Sequence, residues 1–363
     1  MARVNLEWWQ GRRVAVTGHT GFVGSWVSIA LLQLGAKVTG ISNHIPTHPS
    51  LFEVTNLASR IIDIRADLRE ASSIVEVLEK HKPAVIFHLA AQPLVKESYV
   101  IPRETYETNV MGTVNLLDAL RRVTHPVVLI NMTSDKCYEN VGSSVGYKEH
   151  DALGGRDPYS SSKACSELIT RAYRDSFFSP EVSSSPAIGI ASIRAGNIIG
   201  GGDWAPHRLI PDFIRAYENG DDLKVRYPNA TRPWQHVLDV VNAFLILTGK
   251  ILTDPSSKFC TAWNIGPDSS GQWSVREVLE YITKCWGSGR SWQVERGDPD
   301  HEELLLALDT KMARQQLGWE PVWGTQRALK EAVLWYKAYF QNANDAFDFT
   351  CGQVSQFIED SPK

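Results

Sequence analysis

The stretch RRVAVTGHTGFVGSWVSIALLQLG, residues 12–35, decides the fold. It begins as a short apolar strand-like run, turns through glycines and continues as an apolar-striped helix. Gly18, Gly21 and Gly24 fall where the strand hands over to the helix. At such a junction bare backbone admits a pyrophosphate, and the N–H groups of the helix start receive its charge. The spacing is G-x-x-G-x-x-G, not G-x-G-x-x-G, so it supports dinucleotide binding without fixing the larger dehydrogenase superfamily. Gly18, His19, Thr20, Gly21, Phe22, Val23 and Gly24 are therefore the candidate cofactor cradle. Gly35 closes the helix where a left-handed cap is wanted, and Lys37 opens the next strand.

Outward from this unit the rhythm repeats. KVTGIS, IIDIRADL, AVIFHLA and VVLINMTS read as strands, with helix-like segments between them such as the one ending NVMGTVNLLDALRRV. Alternating βα units predict an α/β fold, a Rossmann-type doubly wound parallel sheet. Beyond about residue 200 the chain turns to Gly-, Pro- and Trp-rich loops (GGGDWAPHRLIP, RYPNATRPWQH), followed by helical pieces near SVREVLEYITKCW and QRALKEAVLWYKAYF. The expected division is a dinucleotide-binding domain over 1–200 with a return segment about 235–265, and a smaller, irregular α/β substrate-binding domain over 201–234 and 266–345. SSSP near residue 183 reads as a surface loop.

Composition narrows the class. A chain of 363 residues, 43% hydrophobic and 21% charged, holds roughly two domains and a full core. Thirty-seven Lys plus Arg against 41 Asp plus Glu give a net charge of -4, no attraction for a polyanion, so no nucleic-acid partner is expected. No run approaches the ~20 apolar residues of a membrane span, and the opening residues carry no secretory apolar core. Five scattered cysteines favour neither a disulfide framework nor a zinc site, and a cytoplasmic protein with reduced thiols is the expectation. His44 and His48 have a ligand-like spacing, but Pro46 between them defeats the helix that would align them, so no metal is expected.

At the end of the second strand stand Ile41, Ser42, Asn43 and His44, with no carboxylate for a ribose and no Arg for a 2′-phosphate. Asn43 or Ser42 is the candidate ribose contact, and NAD, held with reduced affinity, is the expected cofactor. Asp67 and Leu68 end the third strand-like run as candidate adenine neighbours. Tyr159 and Lys163, in YSSSKACSELITRAYR, lie four apart on a predicted helix and project from one face. An ammonium beside a phenol is expected to lower its pKa from near 10 and make a general base.

Glycine turn and Tyr-x-x-x-Lys together resemble the extended short-chain dehydrogenase/reductase family, whose Tyr removes a sugar hydroxyl proton while NAD takes hydride. HLAAQ (88–92), NVMGT (109–113), RAGNIIGGGDW (194–204), RPWQHVLD (232–239) and WNIG (263–266) are similar to that family's cofactor and nucleotide-sugar segments, in order. The resemblance implies cofactor contacts at Leu89, Ala90, Ala91, Asn109, Tyr159 and Lys163. It implies substrate contacts at Gln92, Asn197, Arg208, Arg232 and His236; the twelve Trp are mainly core or sugar-pocket candidates, of which Trp204 and Trp234 are placed near the substrate. It also implies a homodimer through the helices around NVMGTVNLLDAL and YSSSKACSELIT.

TSDKCYEN (133–140) follows the strand VVLINM at the sheet edge, where the family places a hydrogen-bonding hydroxyl, here Ser134. Nucleotide-sugar 4,6-dehydratases of the family carry Thr-Asp-Glu; this chain has Ser134, Asp135 and Lys136, which resembles the branch acting on CDP-D-glucose. The implied reaction oxidises carbon 4 with NAD, eliminates water across carbons 5 and 6, and reduces carbon 6. Asp135, held protonated, would donate to the departing 6-hydroxyl. Lys136 would remove the carbon-5 proton if neutral, or stabilise the enolate if charged. The other enzymatic reading is a 4-epimerase or a dehydratase of another sugar nucleotide, and a non-catalytic dinucleotide-binding module is a third.

Overall fold

A computed structural model describes residues 6–143, 145–179, 187–254, 257–267, 271–287, 292–295 and 306–362. The SSSP segment lies outside the described residues. Seven strands form one parallel sheet: β1 (Arg13–Thr17), β2 (Lys37–Ser42), β3 (Ile62–Arg65), β4 (Val85–His88), β5 (Val127–Met132), β6 (Ile188–Ala195) and β7 (Ala262–Ile265). Their spatial order is β7-β6-β5-β4-β1-β2-β3. The chain runs outward from β1 to β3, then crosses back to β4 on the other side of β1, and that reversal opens the crevice in which such sheets bind ligands. β5 is flanked by β4 and β6. The Ser134 segment therefore lies off the carboxyl end of an interior strand, not beside an edge strand.

Alternation sorts the sheet's side chains onto two faces. Val14, Val16 and Phe87 join one cluster with helices α1 (Phe22–Gln33) and α6 (Val237–Thr253). Ala15, Ile41 and Ile86 join the other with α2 (Ala71–His81) and α3 (Gly112–Leu120). Both faces of β1 are covered, so it reads as an unbroken apolar run. The remaining helices used below are α4 (Pro158–Tyr173), α5 (Leu209–Asn219), α7 (Val275–Trp286), α8 (Thr325–Gln341) and α9 (Ala346–Asp360).

Past β6 the ladders are short: Ile198–Ile199 with Gln235–His236, Thr231–Pro233 with Gln272–Ser274, and Leu223–Val225 with Trp292–Val294. Residues 237–265 return to the sheet through α6 and β7. One hydrophobic cluster runs from Trp9 and Val14 to Trp335 and Phe357, so the boundary near residue 200 is a crossing of the chain, not a gap between cores. Gly201 marks that crossing: its carbonyl accepts the Trp26 indole N–H from α1, and a Cβ on it would overlap Trp335 of α8. Among the described residues no helix is long and apolar enough to cross a membrane.

Candidate active site

The glycine turn has the geometry its spacing predicts. Gly18 adopts φ +72°, and a Cβ there would press on the Ala90 backbone nitrogen at 2.7 Å. A Cβ on Gly24 would overlap the Gly18 carbonyl. Gly21 caps α1 with no side-chain hydrogen bond, which leaves the helix start to an anion. The side chains of His19 and Thr20 turn away: His19 Nε2 meets Asp63 Oδ1 at 2.8 Å beneath the turn, and Thr20 Oγ1 donates to the His44 carbonyl at 2.7 Å. Burial depresses the His19 pKa. His19 and Thr20 are both buried, at 0% and 2% exposure, with their side chains spent within the fold.

Thr17 ties this turn to β4. Its hydroxyl accepts the Leu89 and Ala90 N–H groups, both at 3.1 Å, so its proton goes to His88 Nδ1 at 2.8 Å. That leaves the His88 Nε2 proton for Thr113 Oγ1. At the far end of the turn, Asn43 Nδ2 donates to Asp67 Oδ2 at 3.1 Å. The Arg69 guanidinium holds the Asp67 carboxyl down to about 2. Leu68 packs under Gly112, and Arg65, opposite Ser42 in the register of β2 and β3, is a cation the linear sequence did not bring here. An uncapped helix start, a bare turn and a polar ribose end fit a dinucleotide.

Asn109 lies in a widened helical turn, Glu107–Met111, and is 3% exposed. Its side chain is spent on the Gln92 backbone and on Ser162 Oγ at 2.8 Å. The expected cofactor contact is therefore corrected: Asn109 positions the loop after β4, including Ala91 and Gln92. Gln92 folds onto that same loop, donating to the Leu94 carbonyl and Thr105 Oγ1.

Off β5, Ser134 Oγ donates to Asp135 Oδ1 at 3.0 Å and accepts the Lys136 N–H at 3.2 Å. Lys136 is half-buried on the same short turn. Gly196 lies against the Asp135 carboxylate so closely that a Cβ would overlap Oδ2. Asp157 caps α4 by accepting the Ser160 N–H at 2.9 Å, with Pro158 in the first turn, which starts the helix one residue before Tyr159. Tyr159 lies near enough to Ser134 for that hydroxyl to act on its phenol. Burial pushes its phenol up to about 12, against the pull of Ser134 and the nearby Arg208 guanidinium. The expected net lowering of the phenol is thus corrected, because burial outweighs it. Lys163 Nζ donates to the Met132 carbonyl at 3.3 Å, and burial brings its pKa down to about 8.

Arg208, at the start of α5, pairs with Asp203 at 2.9 Å and lies near enough to Tyr159 to act on its charge. Asn197 takes φ +43°, and its carbonyl accepts the Gln235 N–H. Arg232 stays on the Thr231–Pro233 strand, donating to the Thr231 carbonyl. His236 is fully buried, with its Nδ1 capping α6 and its ring against Trp26 and Trp323. The expected substrate contact is corrected to a cap. Trp204 and Trp234 also belong to the core: Trp204 packs on Trp335, Tyr336 and Tyr339, and the Trp234 indole donates to the Trp273 carbonyl. Among the described residues no group of three or more His, Cys, Asp or Glu could hold a metal.

Burial holds both His88 and His236 down to about 3. Between about pH 6.5 and about 3 the unfolded chain binds these protons and the folded chain does not, so each histidine removes ~1.4 kcal/mol of stability per pH unit as pH falls. His236→Asn keeps a capping side chain. Urea unfolding at stepped pH should therefore show a shallower acid loss than the wild type, by about one proton's slope.

Two features were missed in the sequence. Gln235 Nε2 donates to the Gly196 and Ile265 carbonyls, tying the strand ends at the site. Glu167, one turn beyond Lys163, pairs with Arg194 at 2.8 Å with side chains 3% and 5% exposed. Arg194 continues to Tyr138 Oη at 2.8 Å, and Tyr138 donates to Asn264 Oδ1. Glu167→Ala would leave the Arg194 charge buried alone, and an expected loss of ~3–5 kcal/mol is measurable by urea titration.

A doubly wound sheet with a Tyr-x-x-x-Lys helix facing a hydroxyl-bearing turn off β5 defines an extended short-chain dehydrogenase/reductase. The GDP-mannose 4,6 dehydratase family model matches residues 15–332, and the chain belongs to that family. It is 43% identical to a CDP-glucose 4,6-dehydratase of Salmonella typhimurium over 338 residues, 93% of this chain and 94% of that protein. It is 25% identical to a UDP-glucose 4-epimerase of Mycoplasma pneumoniae, covering 90% of this chain and 97% of that one. Among solved structures, a dTDP-glucose 4,6-dehydratase from Bacillus anthracis in complex with NAD superposes with a TM-score of 0.75 at 24% identity, covering 91% of this chain and 98% of that one, a likeness of fold.

Proposed function

We propose that this chain is a CDP-D-glucose 4,6-dehydratase that uses NAD, converting CDP-D-glucose to CDP-4-keto-6-deoxy-D-glucose and water. The observation that carries the reading is Ser134, whose hydroxyl donates to Asp135 at 3.0 Å and lies near enough to Tyr159 to act on its phenol. It joins the group that takes the 4-hydroxyl proton to a carboxyl suited to the 6-hydroxyl; a 4-epimerase needs only the first. The 43% identity to the Salmonella typhimurium protein supports the same substrate.

NAD, when bound, supplies the two-electron acceptor for carbon 4 and the donor for carbon 6. Tyr159 takes the 4-hydroxyl proton with Ser134 holding the oxygen in line, and the Lys163 cation supports the phenolate. The 4-ketone then acidifies the carbon-5 proton. Lys136 serves carbon 5: neutral, it removes that proton; charged, it holds the enolate. Asp135 gives a proton to the departing 6-hydroxyl. Gly18 to Gly24, Leu89, Ala90, Ala91, Asn43, Asp67 and Leu68 hold the cofactor. In this reading Asn197, Arg208 and Arg232 contact the nucleotide sugar, the guanidinium forks suiting a diphosphate, while Gln92 shapes the loop beside it.

The test is incubation with NAD and, separately, CDP-, dTDP-, UDP- and GDP-hexoses, with product mass as readout. CDP-D-glucose alone should lose one water. Loss of water from a different nucleotide would overturn the base, and an isomer of unchanged mass would favour the epimerase.

The protein acts as a homodimer: Tyr99, Val100, Met111, Leu168 and Phe177 are exposed on and beside the helices expected to pair. Light scattering at a dimer's mass tests this. Five unpaired cysteines suit the cytoplasm, and a keto-deoxysugar nucleotide suits synthesis of a lipopolysaccharide O-antigen.

A further inference from the structure

We propose that Thr133 and Glu167 are positioning residues that set the Ser134–Lys136 turn against the Tyr159–Lys163 helix. Tyr159, Lys163 and Glu167 follow one another at four-residue steps along α4, so all three project toward β5 and β6. Thr133 is the residue immediately before Ser134. Its hydroxyl donates to Glu167 Oε1 at 2.5 Å, and its N–H donates to the Ile193 carbonyl on β6. Glu167 Oε2 accepts from Ser192 Oγ at 2.9 Å and from Arg194 at 2.8 Å. One buried carboxylate therefore joins the helix of the proton-taking Tyr, the root of the acid-bearing turn and the strand that leads to Gly196 beneath Asp135. Of these links, the Thr133 hydroxyl alone connects α4 by a side chain to the residue bonded to Ser134. A displacement of about 1 Å between reacting groups can cost about 10²-fold in rate.

The inference rests on the catalytic reading of Ser134, Asp135 and Tyr159. Its test compares wild type, Thr133→Val, Thr133→Ala and Thr133→Ser on CDP-D-glucose with saturating NAD, measuring kcat, KM and the thermal midpoint. The valine variant keeps size, the alanine variant avoids overpacking, and both leave the Glu167–Arg194 pair in place. Expected for either hydroxyl-less variant is a kcat lower by about tenfold or more at unchanged KM, with Thr133→Ser restoring most of the rate. Wild-type kcat in a folded Thr133→Val or Thr133→Ala, or an equal loss in Thr133→Ser, would overturn it. A wild type that epimerises its substrate would end the dehydratase reading separately, and the same comparison then applies to that reaction because Ser134 and Tyr159 serve both.

Discussion

Asp135→Asn is expected to cut formation of the dehydrated sugar by about 10²–10⁴-fold, the range for losing a positioned acid, while oxidation at carbon 4 persists. Asparagine has the carboxyl's shape and fits beneath Gly196, where the absence of a Cβ leaves room for the Asp135 side chain. It still accepts from Ser134, so Tyr159 keeps its neighbour. What it lacks is an acidic proton for the 6-hydroxyl. The separation is measurable: reduced-nicotinamide absorbance should build up with CDP-D-glucose while the mass of the sugar nucleotide shows little loss of water. Full turnover in this variant would remove Asp135 from the mechanism.

Tyr159→Phe should cost as much, about 10²–10⁴-fold, but at an earlier point, so that neither reduced cofactor nor dehydrated product forms. Phenylalanine preserves the burial of this position and the start of α4, which Asp157 caps independently. Stability should change little, and the loss would be chemical. The same pair gives a pH dependence. Lys163, at about 8, carries its charge below that pH and loses it above. Tyr159, at about 12, gains phenolate as pH rises, and loss of the Lys163 charge through about 8 should flatten that gain, a break in the kcat profile that Tyr159→Phe has no activity to display. A rate climbing steadily through that region would contradict the role given to the Lys163 cation.

What the linear sequence made legible was local. The strand–glycine–helix unit from Arg12 to Gly35 and the four-residue step from Tyr159 to Lys163 are readable because a helix or a tight turn fixes their geometry within a few residues. The contacts that complete the site come from strands brought together by register. Gly196 beneath Asp135, Gln235 across Gly196 and Ile265, and Thr133 on Glu167 span dozens of residues, and their residue types alone carry no sign of the partner. Burial was the other hidden quantity. His236, Trp204 and Trp234 have side chains suited to a sugar nucleotide, yet the structure spends them on a helix cap and on the core. Desolvation likewise reverses the expected direction for Tyr159, because a phenolate is costly where water is excluded.

The central claim, one enzyme that oxidises carbon 4 and reduces carbon 6 of the same sugar, is tested most directly with CDP-D-glucose deuterated at carbon 4. Incubation with unlabelled NAD, followed by NMR of the product, should find the deuterium at carbon 6 of a 4-keto-6-deoxy sugar. Deuterium retained at carbon 4 of an epimerised hexose would contradict it.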